Sequence, residues 1–304
     1  MSHIDTTEPD PSVISNIPTP PFARLPEPGP LFQMRSARFA ALAEDHPLAP
    51  YLRLLADLCA VQAAIQQDLP EPDAIGPEQL ARAHEHKMPP LDRSRFTPDA
   101  AFSTTLERLL AAAVLLEMPG LARAALQKVA GADSAGRALL VHNVLAEAIP
   151  VEALAEHMFV AAALQVHFAR LAARLDVKSL QPVGNGVCPG CGGAPAATVL
   201  INSHRTPGAR YCACSLCGTM WNYVRSKCTL CGSTRKIVFQ EIEGAGHIKA
   251  ETCDDCHGYM KVLNLQIDDR LDPVADDVAT LGLDLLVREL GFRRGAVNPF
   301  LIGY

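Results

Sequence analysis

Nine of the ten cysteines in this chain fall between residues 188 and 256, eight of them as four C-x-x-C pairs: Cys188/Cys191, Cys214/Cys217, Cys228/Cys231 and Cys253/Cys256. Two residues between thiols let both sulfurs of one tight turn face the same ion, and two such turns complete a four-thiolate tetrahedral shell. Iron and zinc both accept that geometry, so the residues alone leave the metal open. A shell closed by four protein ligands has no free position for a substrate, which argues against metal catalysis.

The spacing repeats. Cys191 and Cys214 have 22 residues between them, and Cys231 and Cys253 have 21. This near equality predicts a duplicated unit, Cys188 to Cys217 and then Cys228 to Cys256. Pairing turns within each unit keeps the loops short. It assigns Cys188, Cys191, Cys214 and Cys217 to one ion, and Cys228, Cys231, Cys253 and Cys256 to the other. Gly192, Gly218 and Gly232 directly follow three of the pairs, where φ > 0 brings backbone N–H groups to the sulfurs. The fourth pair is followed by His257, a residue type that tolerates the left-handed region better than most. The backbone role is therefore expected to survive there, with His257 as a ligand the lesser alternative. Cys212 stands where the second unit has Glu251, so the repeat places it outside the ligand set. It reads as an ordinary strand residue, with a reactive redox thiol as the alternative.

Strands must carry these turns. AATVLIN and KIVFQEI are rich in β-formers, RYCAC and HIKAE lead into the second turn of each unit, and TMWNYV and YMKVLNL each close a three-stranded sheet. The predicted architecture is α+β and multidomain, an N-terminal all-α helical domain followed by tandem rubredoxin-like or zinc-ribbon modules and a C-terminal helix. Eight prolines in residues 1–30 predict a disordered arm. Residues 31–180 form the helical domain, with helices expected near 34–43, 50–67, 77–86, 103–117, 119–129, 134–146 and 150–175. The last of these is apolar around most of its circumference and is expected at the centre of the bundle. Cys59 reads as a small buried hydrophobe. His84 and His86 lack the i, i+4 spacing of helical ligands, and His157 and His167 read as core or boundary residues. The stretch 176–187 reads as a linker, and the metal modules occupy 181–268. In 269–304, LDPVADDVATLGLDLLVRELGF reads as one helix before a packed tail. Asp272 is its cap, Asp276 and Asp277 lie at the positive end of its dipole, and Val274, Val278, Leu281 and Leu285 form its apolar stripe.

A formal net charge of −6 gives no basic surface for nucleic acid. The metal segment itself holds seven basic and five acidic residues, and eight thiolates around two divalent ions would leave it negative. Arg205, Arg210, Arg225 and Lys227 read as a solvated rim. The first 22 residues lack the basic and apolar regions of a secretory signal, and apolar runs fall far short of the ~20 residues of a membrane span. A cytoplasmic location is expected, where thiols stay reduced and bind metal. There is no phosphate-cradling glycine loop and no H-E-x-x-H helix.

The motifs CPGCGGAP, RYCACSLCGTMWNYVRSKCTLCG, IKAETCDDC, LDPVADDVATLGLDLL and the terminal NPFL, in this order, resemble those of FdhE-type formate dehydrogenase accessory proteins. The match is strongest over about 188–304 and extends to HPLAPYLRLLADL. The resemblance implies a cytoplasmic maturation factor that binds the catalytic subunit of exported, molybdenum- or tungsten-containing formate dehydrogenases before twin-arginine translocation. It also implies rubredoxin-type iron at the eight cysteines already assigned. Residues 1–30 fall outside it, and His257 departs from the glycine more usual after the last pair. The expected function is a non-catalytic accessory factor, not an enzyme. The alternatives are an iron-thiolate redox protein or thiol-redox partner and, last, a zinc-ribbon nucleic-acid module. The sequence leaves the oligomeric state open, with a homodimer among the options.

Overall fold

The structure is a computed structural model that describes residues 19–203, 206–242, 244 and 246–301. Helix α1 (Pro28–Leu42) starts inside the stretch whose prolines suggested an arm. Pro28 and Pro30 fit because the first turn has no intrahelical use for their missing N–H groups. Upstream, strand β1 (Ala23–Arg24) pairs antiparallel with β4 (Met220–Asn222), Ala23 lying opposite Trp221. The expected disordered arm is thus corrected over its last residues: proline removes a donor but keeps its carbonyl acceptor. The Tyr211 hydroxyl donates to Pro21 O at 2.7 Å, and the Asn222 N–H donates to Phe22 O at 2.7 Å. Residues 1–18 of that expectation lie outside the described residues.

Helices α2 (Ala49–Ile65), α3 (Pro77–Glu85), α4 (Ala100–Ala113), α5 (Gly120–Gly131), α6 (Ser134–Leu145) and α7 (Leu154–Ala172) complete the bundle. Asp99 and Asp133 accept the backbone N–H of Phe102 and Gly136, which sets the starts of α4 and α6. As the apolar circumference of α7 predicts, every side chain from Glu156 to Ala169 is buried, with α4, α5 and α6 packed around it. Gln62 reaches from α2 to Ala162 O and Gln165 Oε1. Gln165 then donates to Ser215 O, so the central helix is tied directly to the metal region.

The remaining strands are β2 (Pro195–Leu200), β3 (Arg210–Cys214), β5 (Ile237–Gln240), β6 (Ile248–Cys253), β7 (Gly258–Asn264) and β8 (Arg293–Arg294). The two predicted three-stranded units do form, but as parts of one sheet of order β1-β4-β3-β2-β7-β6-β5, with β8 added on β7. A parallel pair joins them, Thr198, Val199 and Leu200 of β2 lying beside Val262, Leu263 and Asn264 of β7. One apolar core runs from α1, α2 and α7 into the first unit and includes Cys188, Cys191, Leu216 and Trp221. A second core lies between the sheet and the C-terminal helices.

The single C-terminal helix is corrected to two, α8 (Ala275–Ala279) and α9 (Leu281–Glu289), broken at Thr280. Asp272 does cap the start, accepting the N–H of Val274 and Ala275. The break has a partner: the buried Lys261 ammonium donates to Asp277 O at 2.8 Å and Thr280 O at 3.1 Å, taking carbonyls that an unbroken helix would use itself. The expected stripe therefore divides. Val274 and Val278 are buried, Leu285 is 44% exposed, and Leu283 and Val287 face the second core instead. Asp276 and Asp277, expected at the positive end of the helix dipole, are also buried; Asp276 pairs with Arg38, and Asp277 with Lys261 and Arg294. Asp284 also meets Lys261 and Arg294, and it accepts the Tyr259 hydroxyl. The tail packs as expected through Phe300, which sits edge-on to Phe39.

Replacing Lys261 by Met leaves two buried carboxylates facing one arginine. It is expected to cost about 3–5 kcal/mol in urea unfolding, and the double change with Asp284→Asn is expected to cost less than the sum of the single ones. A loss within experimental error for Lys261→Met would refute this account of the helix break.

Candidate metal centres

Each predicted quartet converges. The sulfurs of Cys188, Cys191, Cys214 and Cys217 all lie within 4.8 Å of one another, as do those of Cys228, Cys231, Cys253 and Cys256. In the first centre Cys188 and Cys217 are 3.6 Å apart and Cys191 and Cys214 3.4 Å apart; in the second, Cys228 and Cys256 are 3.9 Å apart and Cys231 and Cys253 3.8 Å apart. A tetrahedron with metal–sulfur bonds near 2.3 Å needs sulfurs about 3.8 Å apart, so both quartets fit one four-coordinate ion each.

The turns have the predicted backbone. Gly192, Gly218 and Gly232 have φ of 77°, 73° and 79°, and His257 follows at 52°. The Gly192 and Gly232 N–H groups close the turns on Cys188 O and Cys228 O, each at 2.9 Å. The Gly193 N–H donates to Cys191 Sγ at 3.4 Å and the Leu216 N–H to Cys214 Sγ at 3.4 Å. Such donors stabilise thiolate over thiol. His257 keeps the left-handed backbone role, and its ring lies against Phe292, outside the sulfur quartet.

The centres differ in burial. All four cysteines of the first are buried, and burial pushes the Cys188 and Cys191 thiols well above their ordinary range. Thiolates held there require a cation beside them. The bundle covers this centre: the Leu91 N–H donates to Gly190 O at 2.9 Å and the Arg93 N–H to Cys191 O at 3.1 Å. In the second centre Cys231 is exposed and Cys256 partly so, and the backbone at Ser233 holds Cys231 below the usual thiol range. Its first turn is held by Leu230, whose side chain lies against Gly258 and Gly295; a Cβ at Gly295 would stand 2.9 Å from Leu230 Cγ.

Cys212 belongs to neither quartet. It lies on β3 opposite Thr198 and Trp221, is 0% exposed, and burial raises its thiol to about 12. That removes the thiolate character and exposure a redox thiol needs. Its counterpart Glu251 pairs with Arg210 at 2.9 Å. Arg210, expected on a solvated rim, is corrected to 2% exposed. It also donates to Thr229 Oγ1 at 2.7 Å and Lys227 O at 3.3 Å. It thereby ties β3 of the first unit to the residues flanking Cys228, a long-range contact without a sequence signal. Of the other expected rim residues, Arg225 is exposed and Arg205 lies outside the described residues.

Three family models cover consecutive stretches of the chain: "FdhE, N-terminal" over residues 20–185, "FdhE, central domain" over 187–225 and "FdhE, C-terminal domain" over 226–301. A curated "Protein FdhE homolog" from Rhizobium meliloti is 43% identical over 304 residues, with 99% of each chain covered. Another, from Stutzerimonas stutzeri, is 39% identical over 290 residues, covering 93% of this chain and 92% of the relative. The crystal structure of the FdhE protein from Pseudomonas aeruginosa matches with a TM-score of 0.84 at 33% identity, over 93% of this chain and 99% of that one.

Chelator challenge of the metal-loaded chain is expected to release one ion quickly, from the exposed centre, and the other slowly. Cys231→Ser should retain one ion and full helical content by circular dichroism, whereas Cys188→Ser, inside the shared core, should lose helical signal too. Equal release rates, or identical spectra for the two variants, would contradict the difference in burial. Gly295→Ala is expected to lower metal content from two ions per chain to about one by displacing Leu230; unchanged stoichiometry would show that the turn can shift without losing its ligands.

Proposed function

This chain belongs to the FdhE family, and on that premise we propose that it is a cytoplasmic accessory factor in formate dehydrogenase maturation, binding the catalytic subunit of an exported enzyme without turning over a substrate. Each quartet brings four sulfurs within 4.8 Å of one another, enough to close a tetrahedral shell around an ion, and this observation carries the reading. A closed shell has no position for substrate, so metal there would serve to fix the turns and the surface around them. Cys188, Cys191, Cys214 and Cys217 would hold one ion, and Cys228, Cys231, Cys253 and Cys256 the other. The eight-stranded sheet then holds both turn clusters as one body, and no helix of the described residues is long and apolar enough to cross a membrane.

A second reading rests on the exposed Cys231. An iron ion held by this quartet would exchange electrons at a solvent-facing edge, whereas zinc has no redox chemistry there. Metal analysis with a visible spectrum on anaerobically purified protein separates the two.

Metal-loaded protein is expected to retain the catalytic formate dehydrogenase subunit in a pull-down, and chain stripped of both ions to lose it. Failure of the fully loaded protein to retain that subunit would end the accessory-factor reading.

A further inference from the structure

All four cysteines of the first quartet lie out of solvent, Cys214 being 3% exposed and Cys188, Cys191 and Cys217 0%. An ion can reach such a shell in the folded protein only if part of its cover opens, and local openings occur where the fewest buried contacts must be given up. The cover over the second turn is costly to remove. Gly218 lies against Leu31, a Cβ there standing 2.8 Å from Leu31 Cδ2, and Ser215 O accepts from Gln165. Leu31 and Gln165 belong to α1 and α7, whose Phe32, Phe39, Phe159 and Phe168 sit in the main core. The cover over the first turn is a separate piece of chain, residues 77–93, made of α3 and the loop after it. The Leu91 and Arg93 N–H groups donate to Gly190 O and Cys191 O, and Pro89 stands against Gly192, where a Cβ would lie 3.0 Å from Pro89 Cγ. Within this piece only Ala83, Pro90 and Leu91 are buried. Cavities of about 280 and 520 Å³ lie along it, both lined by Ile75, Ala83, Met88, Pro90 and Leu171. Side chains that border empty space have partners on one side only, so lifting this piece forfeits little packing.

We propose that residues 77–93 are a flap whose opening is the route by which an ion enters and leaves the first quartet. Its two ends are anchored. Upstream, Arg170 of α7 donates to Leu69 O and Pro70 O; downstream, Phe96 packs on Phe102, His167 and Phe168. Between these anchors the flap is latched to the rest of the chain by Gln181, which donates to His84 O at 2.6 Å, and by the ion pair of Arg93 with Glu147. Lifting it breaks the two N–H bonds to the turn at Gly190 and Cys191 and uncovers that turn, while the bundle core, the sheet and the turn at Cys214 stay in place. The freed amides and carbonyls then face water, which replaces the lost bonds. The second quartet needs no such device, since Cys231 is exposed. The proposed route rests on the reading that the first quartet holds an ion, whereas the opening of the flap does not.

Full-length chain loaded with zinc is followed in two ways, by hydrogen exchange of individual amides and by release of zinc to a colorimetric chelator. The Leu91 and Arg93 amides are expected to exchange about a hundredfold faster than those of α7 between Val160 and Phe168. Gln181→Ala combined with Arg93→Ala, which removes both latches, should speed the exchange at Leu91 and the release of the slower ion alike, each by about tenfold. Protection within α7 is the folding control, and release of the faster ion should not change. Leu31→Ala, which thins the cover over Gly218, should leave the slower release as it was. Exchange at Leu91 as slow as in α7, slow release unaltered by the latch variant, or slow release hastened by Leu31→Ala instead would overturn the proposal. A first quartet that takes up no zinc would end the metal reading and the proposed route with it, a failure that shows in the stoichiometry before either rate is measured.

Discussion

Sulfur ligands held out of water are the constraint around which the rest of this structure is arranged. Four thiolates repel one another and lose their hydration when buried, so a quartet such as Cys188, Cys191, Cys214 and Cys217 is tenable only around a cation. Such a centre needs turns whose backbone N–H groups face the sulfurs and whose residues can enter the left-handed region. It also needs a core that excludes solvent, which the helical bundle supplies through the Leu91 and Arg93 contacts to the turn at Gly190 and Cys191. The first centre is consequently inseparable from the packing of α1, α2 and α7.

The second centre obeys the same local rules under different packing. Its quartet is carried by the β5–β6–β7 half of the sheet, with Cys253 on β6, and is reached by solvent at Cys231. Two buried polar systems hold it in place. Arg210 with Glu251 connects β3 to the Cys228 turn, and Lys261 with Asp277, Asp284 and Arg294 fixes the C-terminal segment that contributes Gly295 beneath Leu230. Each charge in the second system has a partner, which lets it lie in the interior at all, and removing any one exposes the others to an uncompensated desolvation cost. Two centres of equal ligand chemistry thus acquire unequal access to solvent.

Local chemistry was legible along the chain. The ligand quartets, the left-handed residues after each pair including His257, the separateness of Cys212, and α7 as the buried central helix all follow from spacing and residue type. The N-terminal prolines and the C-terminal helix misled for a common reason. Residues 21–24 are ordered by Tyr211 and Asn222, and the helix breaks where the Lys261 ammonium takes its carbonyls. In both cases the deciding group is distant in sequence, and a local propensity of a few tenths of a kcal/mol per residue cannot outweigh it.

What the sequence by itself determined was which cysteines come together in each quartet, because a C-x-x-C turn and a near-exact repeat are short-range geometry. Only the tertiary structure decided that the two units form one sheet through the parallel β2/β7 pair, that the bundle and the first unit share one core, and that one centre is sealed while the other meets solvent. Those outcomes depend on which apolar and charged side chains meet across long stretches of chain. Burial then sets the free energy of each charge, and no residue carries that information in its own identity or spacing.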